Sequence, residues 1–249
     1  MKIALLTTMF FHDCKEIMHN VDGKKVHGTD RIIFGGAERL TYDLCKLLQE
    51  DGHIVTVFQP FQGITKSFTK KYKGIDFVML PNNGGWSMNT CADLNWQFNE
   101  NAALYDLRIY FATFLAFPNA ISPCIALSHG IYWDNTQGVN TVQLLNEADR
   151  KEFMRRQLYG FTAPDVVVSV DSNVKKVIQA MEPGADRKTQ IIYNYVDCQK
   201  FHPGEKTWEG TNILFPRRLT VLRGSTEVTK AFMSLPQYNF TLAGQAHDD

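Results

Sequence analysis

The chain has 249 residues, 44% of them hydrophobic and 21% charged, and its 26 basic residues balance 26 acidic ones. This composition is that of an ordinary globular protein, and a net charge of zero gives no general attraction to nucleic acid. No stretch approaches the roughly 20 apolar residues that a membrane-spanning helix needs, and the cysteines are scattered without a C-x-x-C motif. We therefore expect a cytoplasmic protein with reduced thiols and no signal peptide.

The beginning of the chain predicts a β-α-β unit. Residues 3–8 form a short apolar run typical of a buried strand, leucines recur at helical spacing over 37–48, and 54–58 predict the next strand. The pair Gly35-Gly36 stands where the helix begins, where free backbone N–H groups and the helix dipole favour an anion. Because glycine lets a ligand approach closely, the pair predicts contact with the phosphates or sugar of an activated donor. A flexible loop end is the alternative.

Two polar segments allow both a functional and a structural interpretation. Residues 11–31 contain several histidines and acids, but their spacing matches no tetrahedral metal motif, so we favour a polar loop that serves as a lid or binds an acceptor. Residues 65–73 interleave lysines with Phe68 and Tyr72, a pattern that allows peripheral contact with an anionic membrane surface. For this second segment we favour a solvated face with its aromatic side chains packed inward.

The middle of the chain predicts two long helices, from Asp93 to Phe117 and from Asn140 to Tyr159, because apolar residues recur there at helical spacing. It also predicts short strands, over 75–80, 121–127, 166–170 and 191–193. Ligands of open parallel sheets bind outside the carboxyl ends of the strands, and His129 directly follows one of these predicted strands. His129 is therefore a candidate to hydrogen-bond a sugar hydroxyl or a phosphate, or to accept a proton. The alternative is a histidine that only caps the strand end.

A stretch rich in proline, glycine and polar residues, 201–210, predicts a domain boundary. A strand, a helix and a further strand follow it, and such a unit buries too little apolar surface to form a core alone. We expect residues 1–205 to form a first domain and residues 206–249 to be the start of a second, truncated domain.

Four motifs occur in chain order: Gly35-Gly36-Ala37-Glu38; Gly52-His53-Ile54-Val55-Thr56-Val57; Asn194-Tyr195-Val196-Asp197 with Phe201-His202-Pro203; and Pro216-Arg217-Arg218-Leu219 with Arg223-Gly224. Together they resemble the family 4 glycosyltransferases, which are retaining enzymes of the GT-B fold. The resemblance implies an α/β protein, with a Rossmann-like parallel sheet domain followed by the truncated beginning of a second Rossmann-like domain.

The resemblance also implies roles for individual residues. Gly35 and Gly36 match a glycine pair near the donor sugar and diphosphate, and His129 matches a position beside the transferred sugar. Arg218 and Arg223 match the two cations that hold the donor diphosphate, although Arg223 stands where lysine is usual. Two fixed cations would stabilise the negative charge that develops on a departing nucleoside diphosphate. A solvated loop is the alternative for these arginines.

The implied activity moves a sugar from a nucleotide-sugar donor to a hydroxyl of a glycan, lipid-linked or small-molecule acceptor in glycan biosynthesis, with no metal or other cofactor. Two features differ from the family pattern: Tyr195 replaces a usual glycine, and the family's paired glutamates would lie beyond Asp249. We therefore expect this chain alone to be an inactive part of an enzyme. The alternatives are a nucleotide-sugar epimerase or phosphorylase of the same fold, and a non-catalytic module that binds a glycan or a partner.

Overall fold

The computed structural model of the chain describes residues 1–8, 19–21, 24–26, 36–61, 64–82, 88–133, 147–204, 210–216 and 224–244. It divides into two compact units: one comprises Met1–Trp133 and Asp149–Tyr193, and the other comprises Asp134–Ala148 and Asn194–Asp249. The sequence predicts a domain boundary between residues 205 and 206. This division into compact units does not test that boundary, which stays a prediction.

The strands of the described residues are β1 Lys2–Leu6, β2 His19–Val21, β3 Lys24–Val26, β4 Ile54–Phe61, β5 Phe68–Tyr72, β6 Ile75–Pro81, β7 Leu107–Tyr110, β8 Cys124–Ser128, β9 Val166–Ser169, β10 Thr189–Ile191, β11 Asn212–Phe215 and β12 Asn239–Leu242. The α-helices are α1 Gly36–Glu50, α2 Met88–Asn101, α3 Glu147–Thr162, α4 Ser172–Met181 and α5 Ser225–Ser234. Short 3-10 turns occupy Thr113–Ala116 and Ala185–Lys188. Within the part of the chain that the structure describes, no helix has the length and apolar character needed to cross a membrane.

The first unit is built on one eight-stranded sheet in the order β10-β9-β8-β7-β1-β4-β6-β5. All neighbouring strands pair in parallel except β5, which is antiparallel to β6. From β1 the chain adds β4 and β6 on one side and later β7 to β10 on the other, so the direction of winding reverses between β1 and β7. The predicted Rossmann-like parallel sheet is confirmed, and this reversal is where open α/β sheets bind their ligands.

Strand β1 lies at the centre of the sheet and is buried on both faces. Ile3 and Leu5 belong to one apolar cluster, which also contains Cys45 of α1. Ala4 and Leu6 belong to the other cluster, which also contains side chains of α2. Because successive side chains of a strand point to opposite faces, the continuous apolar run of β1 is explained by helices packed on both sides.

The hairpin of β5 and β6 closes one edge of the sheet. Its turn residues Lys73 and Gly74 both have positive φ, 46° and 83°, as a two-residue turn matched to the strand twist requires. The Phe68 ring packs 5.6 Å from the Phe61 ring, and the Tyr72 ring packs 6.5 Å from the Tyr42 ring. Tyr72 is half-buried, as the interpretation of residues 65–73 as a solvated face with inward aromatic side chains expects, whereas Phe68 remains 38% exposed.

The prediction of one helix from Asp93 to Phe117 is wrong. Helix α2 ends at Asn101, and strand β7 follows within the predicted span. The buried guanidinium of Arg108 donates a hydrogen bond to the carbonyl oxygen of Ala102 at 2.9 Å, where α2 ends. A cation there interacts favourably with the helix dipole, and this contact anchors β7 beneath the helix end. The second predicted helix is present as α3, whereas residues 140–146 lie outside the described residues.

Part of the polar segment 11–31 is an antiparallel pair, in which β2 and β3 align Asn20 with Lys25. The side chains of this segment lie outside the described residues, so its interpretation as a lid or acceptor-binding loop stays a prediction. The same holds for the metal-binding alternative.

The second unit contains a parallel pair, β11 and β12, connected by α5. The Phe232 ring of the helix stacks on the Phe240 ring of β12 at 3.7 Å. No residue of α5 is buried, which agrees with the expectation that one helix and two strands bury too little surface for a core.

The described cysteines are all free thiols. Cys45, Cys91 and Cys124 are buried in the first unit, whereas Cys198 of the second unit is exposed. Burial raises the pKa of the Cys45 and Cys91 thiols to about 12, and it also raises the pKa of the Cys124 thiol. Protonated, buried thiols of this kind are chemically inert.

Candidate functional site

Gly36 and His129 lie toward the same edge of the first sheet. His129 directly follows β8, at its carboxyl end. Helix α1 has 15 residues, and three residues separate its end from the start of β4. The amide of Ile54, the first residue of β4, donates to the carbonyl oxygen of Met1, just before β1. The helix therefore runs back along the sheet for about 22 Å, at 1.5 Å per residue, which places its start toward the carboxyl edge.

The first turn of α1 is open around Gly36. The glycine is exposed, and a Cβ atom added there would meet no described atom within 4 Å. Packing against the described residues therefore does not require glycine at this position. The same turn contains the buried Glu38. The positive end of the helix dipole stabilises its carboxylate, and an anion bound at the helix start would interact with the same dipole. Gly35 lies outside the described residues, and the proposed donor contact of both glycines stays a prediction.

The ring of His129 is half-buried and fixed by Phe111, the residue that follows β7. Its Nε2 atom lies 2.9 Å from the carbonyl oxygen of Phe111, and the two rings are 4.7 Å apart. A carbonyl only accepts hydrogen bonds, so Nε2 carries the hydrogen and Nδ1 is the acceptor nitrogen. Among the described residues, none forms a hydrogen bond with Nδ1.

Burial lowers the pKa of His129, and the carbonyl of Phe111 opposes this only in part. The ring is therefore neutral at pH 7. A neutral ring whose open nitrogen is an acceptor suits a ligand hydroxyl, which can donate to it, better than a phosphate oxygen, which cannot. An acceptor Nδ1 is compatible both with hydrogen bonding to a sugar hydroxyl and with accepting a proton, and the role of His129 stays a prediction.

Gln157 of α3 connects the segment after β8 to the segment after β7. Its Nε2 donates to the carbonyl oxygen of Gly130 at 2.9 Å and to Oγ1 of Thr113 at 3.2 Å. Its Oε1 accepts a hydrogen bond from the amide of Tyr132 at 3.0 Å. The side chain is fully buried. Sequence analysis missed this residue, because one glutamine in a charged helix carries no distinctive signal.

Gly160 brings α3 into close contact with the 3-10 turn that follows β7. A Cβ atom at position 160 would lie 1.9 Å from the carbonyl oxygen of Thr113, closer than any real contact. A glycine inside a helix costs stability, which is itself a signal that another part of the backbone comes near.

Buried polar residues mark the carboxyl end of the sheet in five strands or directly after them: Thr7, Gln59, Asn82, Ser128 and Ser169. Several bond the local backbone. Ser169 Oγ donates to the carbonyl oxygen of Asp171 at 2.8 Å, and Ser128 Oγ donates to that of Gly130 at 3.3 Å. These bonds hold the described residues that directly follow β8 and β9, and the described carboxyl ends of the strands are therefore rich in buried polar groups.

Arg217, Arg218 and Arg223 lie outside the described residues. The residue after Arg223, Gly224, has a φ of 81° and immediately precedes α5. The proposed binding of a diphosphate by Arg218 and Arg223 stays a prediction.

A family model described as Glycosyltransferase Family 4 matches residues 34–200, well over half of the chain. The chain belongs to glycosyltransferase family 4. The matched region contains Gly35, Gly36, His129 and Gln157, and it ends before Arg218. No curated protein sequence matches the chain.

Solved structures support the fold. Sucrose-phosphate synthase from Thermosynechococcus elongatus aligns with a TM-score of 0.65 at 13% identity, over 98% of this chain and 62% of its own. HepE from Anabaena, in complex with UDP and glucose, aligns with a TM-score of 0.59 at 16% identity, over 99% and 62%. The catalytic domain of starch synthase IV from Arabidopsis thaliana, bound to ADP and acarbose, aligns with a TM-score of 0.59 at 11% identity. The alignment covers 99% of this chain and 69% of the starch synthase chain. The chain has the GT-B type of fold and spans 62% of the first two proteins.

Proposed function

We propose that this chain supplies part of the active site of a retaining glycosyltransferase that uses a nucleotide-sugar donor. The single observation that carries the proposal is His129, which lies within the family match at the carboxyl edge of the sheet and offers Nδ1 as an acceptor. The nucleotide donor is supported by HepE, which has the same fold and was solved with UDP and glucose.

In the proposed reaction, the bond between the anomeric carbon and the diphosphate oxygen breaks, and the acceptor hydroxyl attacks the same face. The hydroxyl proton passes to the departing diphosphate oxygen, so no side chain has to remove it. His129 fits this scheme, because its Nδ1 accepts a hydrogen bond from a sugar hydroxyl and no proton transfer to the ring is needed. The helix start at Gly36 approaches the donor, and Arg218 and Arg223 stabilise the charge on the leaving group.

The first unit would also bind the acceptor, which we propose to be a hydroxyl of a glycan, a lipid-linked sugar or a small molecule. A role in cytoplasmic glycan biosynthesis rests on the family and on the scattered cysteines. Peripheral contact of residues 65–73 with a membrane stays a secondary proposal, since Tyr72 packs on Tyr42 of α1 and only Phe68 is exposed.

The proposal is tested by calorimetric binding of UDP-glucose, ADP-glucose and GDP-mannose to the chain. We expect one donor to bind, and we expect His129→Ala and Arg218→Ala each to weaken it about tenfold, the value of one good hydrogen bond. His53→Ala is the matched histidine control, because His53 lies before β4, at the opposite edge of the sheet from the carboxyl ends. Arg187→Ala, in the 3-10 turn before β10, is the arginine control.

Unchanged donor binding in His129→Ala and Arg218→Ala would remove both residues from the site. Incubation with donor and candidate acceptors then separates the activities: net transfer with retained anomeric configuration supports the proposal, and interconversion of the donor sugar indicates an epimerase. Binding of an oligosaccharide without affinity for any nucleotide would indicate a non-catalytic module. Efficient transfer by the chain alone would contradict the expectation that it is inactive.

A further inference from the structure

The segment from His129 to Tyr132 has no regular structure to hold it in place. It leaves β8 through Gly130, whose φ of 151° is a conformation that residues with a side chain rarely adopt. Its polar backbone groups therefore need partners other than a helix or a strand ladder. Two of these groups, the carbonyl of Gly130 and the amide of Tyr132, bond the same side chain, Gln157.

Both the nitrogen and the oxygen of the Gln157 side-chain amide form hydrogen bonds. Its nitrogen donates to Gly130 and Thr113, and its oxygen accepts from Tyr132. A buried amide with this set of partners has one favourable orientation, because turning it over would place its oxygen against the carbonyl of Gly130 and its NH2 group against the amide of Tyr132. Gln157 therefore imposes a defined conformation on the segment and does not merely fill space.

The same amide aligns two loops that together hold His129. Thr113 lies two residues after Phe111, the residue whose carbonyl accepts the hydrogen bond from His129. Gly130 is the residue after His129. Gln157 thus joins the loop that carries the histidine to the loop that carries its partner, and a shift of either loop would change the bond between His129 and Phe111.

Helix α3 is itself held in position at this point. The absence of a side chain at Gly160 lets the helix backbone lie against Thr113, one turn beyond Gln157. Arg150, nearer the start of the helix, donates to the carbonyl oxygen of Trp133 at 3.1 Å. Contacts on both sides of Gln157 therefore keep its side chain at a constant position relative to the two loops.

We propose that Gln157 is a positioning residue of the candidate site, which keeps Nε2 of His129 on the carbonyl of Phe111 and leaves Nδ1 for the ligand. The importance of this inference for ligand binding rests on the proposed function. The effect of Gln157 on the tautomer and hydrogen bond of His129 does not depend on it. The residue that keeps His129 in this tautomer thus lies on α3, whereas His129 itself follows β8.

The experiment measures the tautomer and the pKa of His129 by two-bond 1H–15N correlation NMR on the full 249-residue chain, with the signal assigned by its loss in His129→Gln. Wild type should show a neutral ring protonated at Nε2, with a pKa below the ordinary 6.5. In Gln157→Met, which preserves shape but not the hydrogen bonds, both tautomers should appear, and the pKa should fall further below 6.5 because the hydrogen bond to Phe111 that raises it is weakened.

Gln97→Met is the matched control. Gln97 also lies on a helix and donates from its side-chain amide to a backbone carbonyl, that of Pro81 at the end of β6, at 3.1 Å. This control should leave the tautomer and pKa of His129 unchanged even if it lowers the thermal unfolding temperature by a similar amount. An unchanged His129 in a folded Gln157→Met variant would overturn the proposal, as would an equal effect of both variants.

A wild-type measurement keeps the proposal testable if Gln157→Met does not fold. The backbone amide of Tyr132 should exchange with deuterium slowly, because it donates to a buried acceptor, and rapid exchange of this amide would also overturn the proposal. Titration with UDP-glucose, ADP-glucose and GDP-mannose separates this inference from the proposed function. Absence of donor binding would contradict the proposed function, whereas the NMR result for Gln157 would be unaffected.

Discussion

Two glycines on two different helices stand near the candidate site, and their surroundings are opposite. At Gly160 of α3, a methyl group would collide with the backbone of Thr113 at 1.9 Å. At Gly36 of α1, a methyl group would meet no described atom within 4 Å. The sequence alone assigned a role only to Gly36, because it belongs to a motif.

The contrast separates two uses of glycine. Gly160 is required by the fold itself, since α3 lies so close to the turn after β7 that only a hydrogen fits. At Gly36 no described residue requires glycine by packing. Helix α3 and the turn after β7 are closely packed, whereas no described atom contacts the Cβ position of Gly36 at the start of α1.

Gly160→Ala should have the largest effect on stability. The added methyl group forces α3 away from Thr113, and overpacking of this kind costs about 3 kcal/mol. Urea denaturation measures the loss in the free energy of unfolding. A loss below about 0.5 kcal/mol, the size of an ordinary surface change, would show that α3 and the turn do not lie this close.

Tyr110→Phe should have the second largest effect, because it removes a buried hydroxyl from the closely packed side. That hydroxyl donates to Oδ1 of Asn99 at 2.9 Å and accepts from the amide of Ile121 at 3.2 Å. Burial raises its pKa to about 12, so it remains protonated at every usable pH. We expect a loss of about 1–2 kcal/mol from the unpaired groups left behind.

Tyr105→Phe is the control for this prediction. The Tyr105 ring packs 5.8 Å from Phe58, and among the described residues its hydroxyl has no hydrogen-bond partner. Its loss should cost much less in the same denaturation experiment. Equal effects of the two variants would contradict a special role for the hydroxyl of Tyr110.

The pH dependence of stability should report the burial of His129. Because its folded pKa is lowered, the unfolded chain binds a proton more readily than the folded chain. Stability should therefore be complete above pH 6.5 and decrease as the pH falls from 6.5 toward the folded pKa. The decrease amounts to about 1.4 kcal/mol for each tenfold difference in proton affinity.

Denaturation of wild type and His129→Gln between pH 5 and 8 measures this contribution. The variant should show a flatter profile through the window below pH 6.5, since the group that titrates there is gone. Parallel profiles for the two proteins would show that His129 is not buried as described.

Gly36→Ala should have the smallest effect on stability, within about 0.5 kcal/mol, because the new methyl group points into open space. Binding of the nucleotide sugar should nevertheless weaken if the donor approaches this backbone. Calorimetry on the stable variant measures this separately from folding. Unchanged affinity would leave Gly36 as the loop end that the simpler interpretation of the sequence describes.

Much of the fold was predictable because the central strand is buried on both faces and therefore continuously apolar, as in Ile3 to Leu6. Strand β7 was not, because Leu104, Leu107 and Phe111 continue the helical spacing of α2 by coincidence. In the structure Leu104 is 88% exposed, so it contributes nothing to the face that its spacing suggests. Arg108 added to the error, since a buried arginine that bonds a helix end looks like a solvated residue in sequence.

Within the site, His129 was predictable because the end of a parallel strand is a defined place in the sequence. Gln157 and Gly160 were not, because their importance depends on Thr113, more than 40 residues away along the chain. Local patterns cannot indicate a contact that only the packing of α3 against the turn creates. The charged residues that surround Gln157 in sequence made the helix resemble a solvated element.

The burial of three thiols makes the protein suitable for selective labelling. Because burial raises the pKa of the Cys45 and Cys91 thiols to about 12, they stay protonated and unreactive at neutral pH. Cys198 is exposed. Once Cys14, which lies outside the described residues, is replaced by serine, a maleimide dye would attach at Cys198 and provide a fluorescent reporter in the second unit.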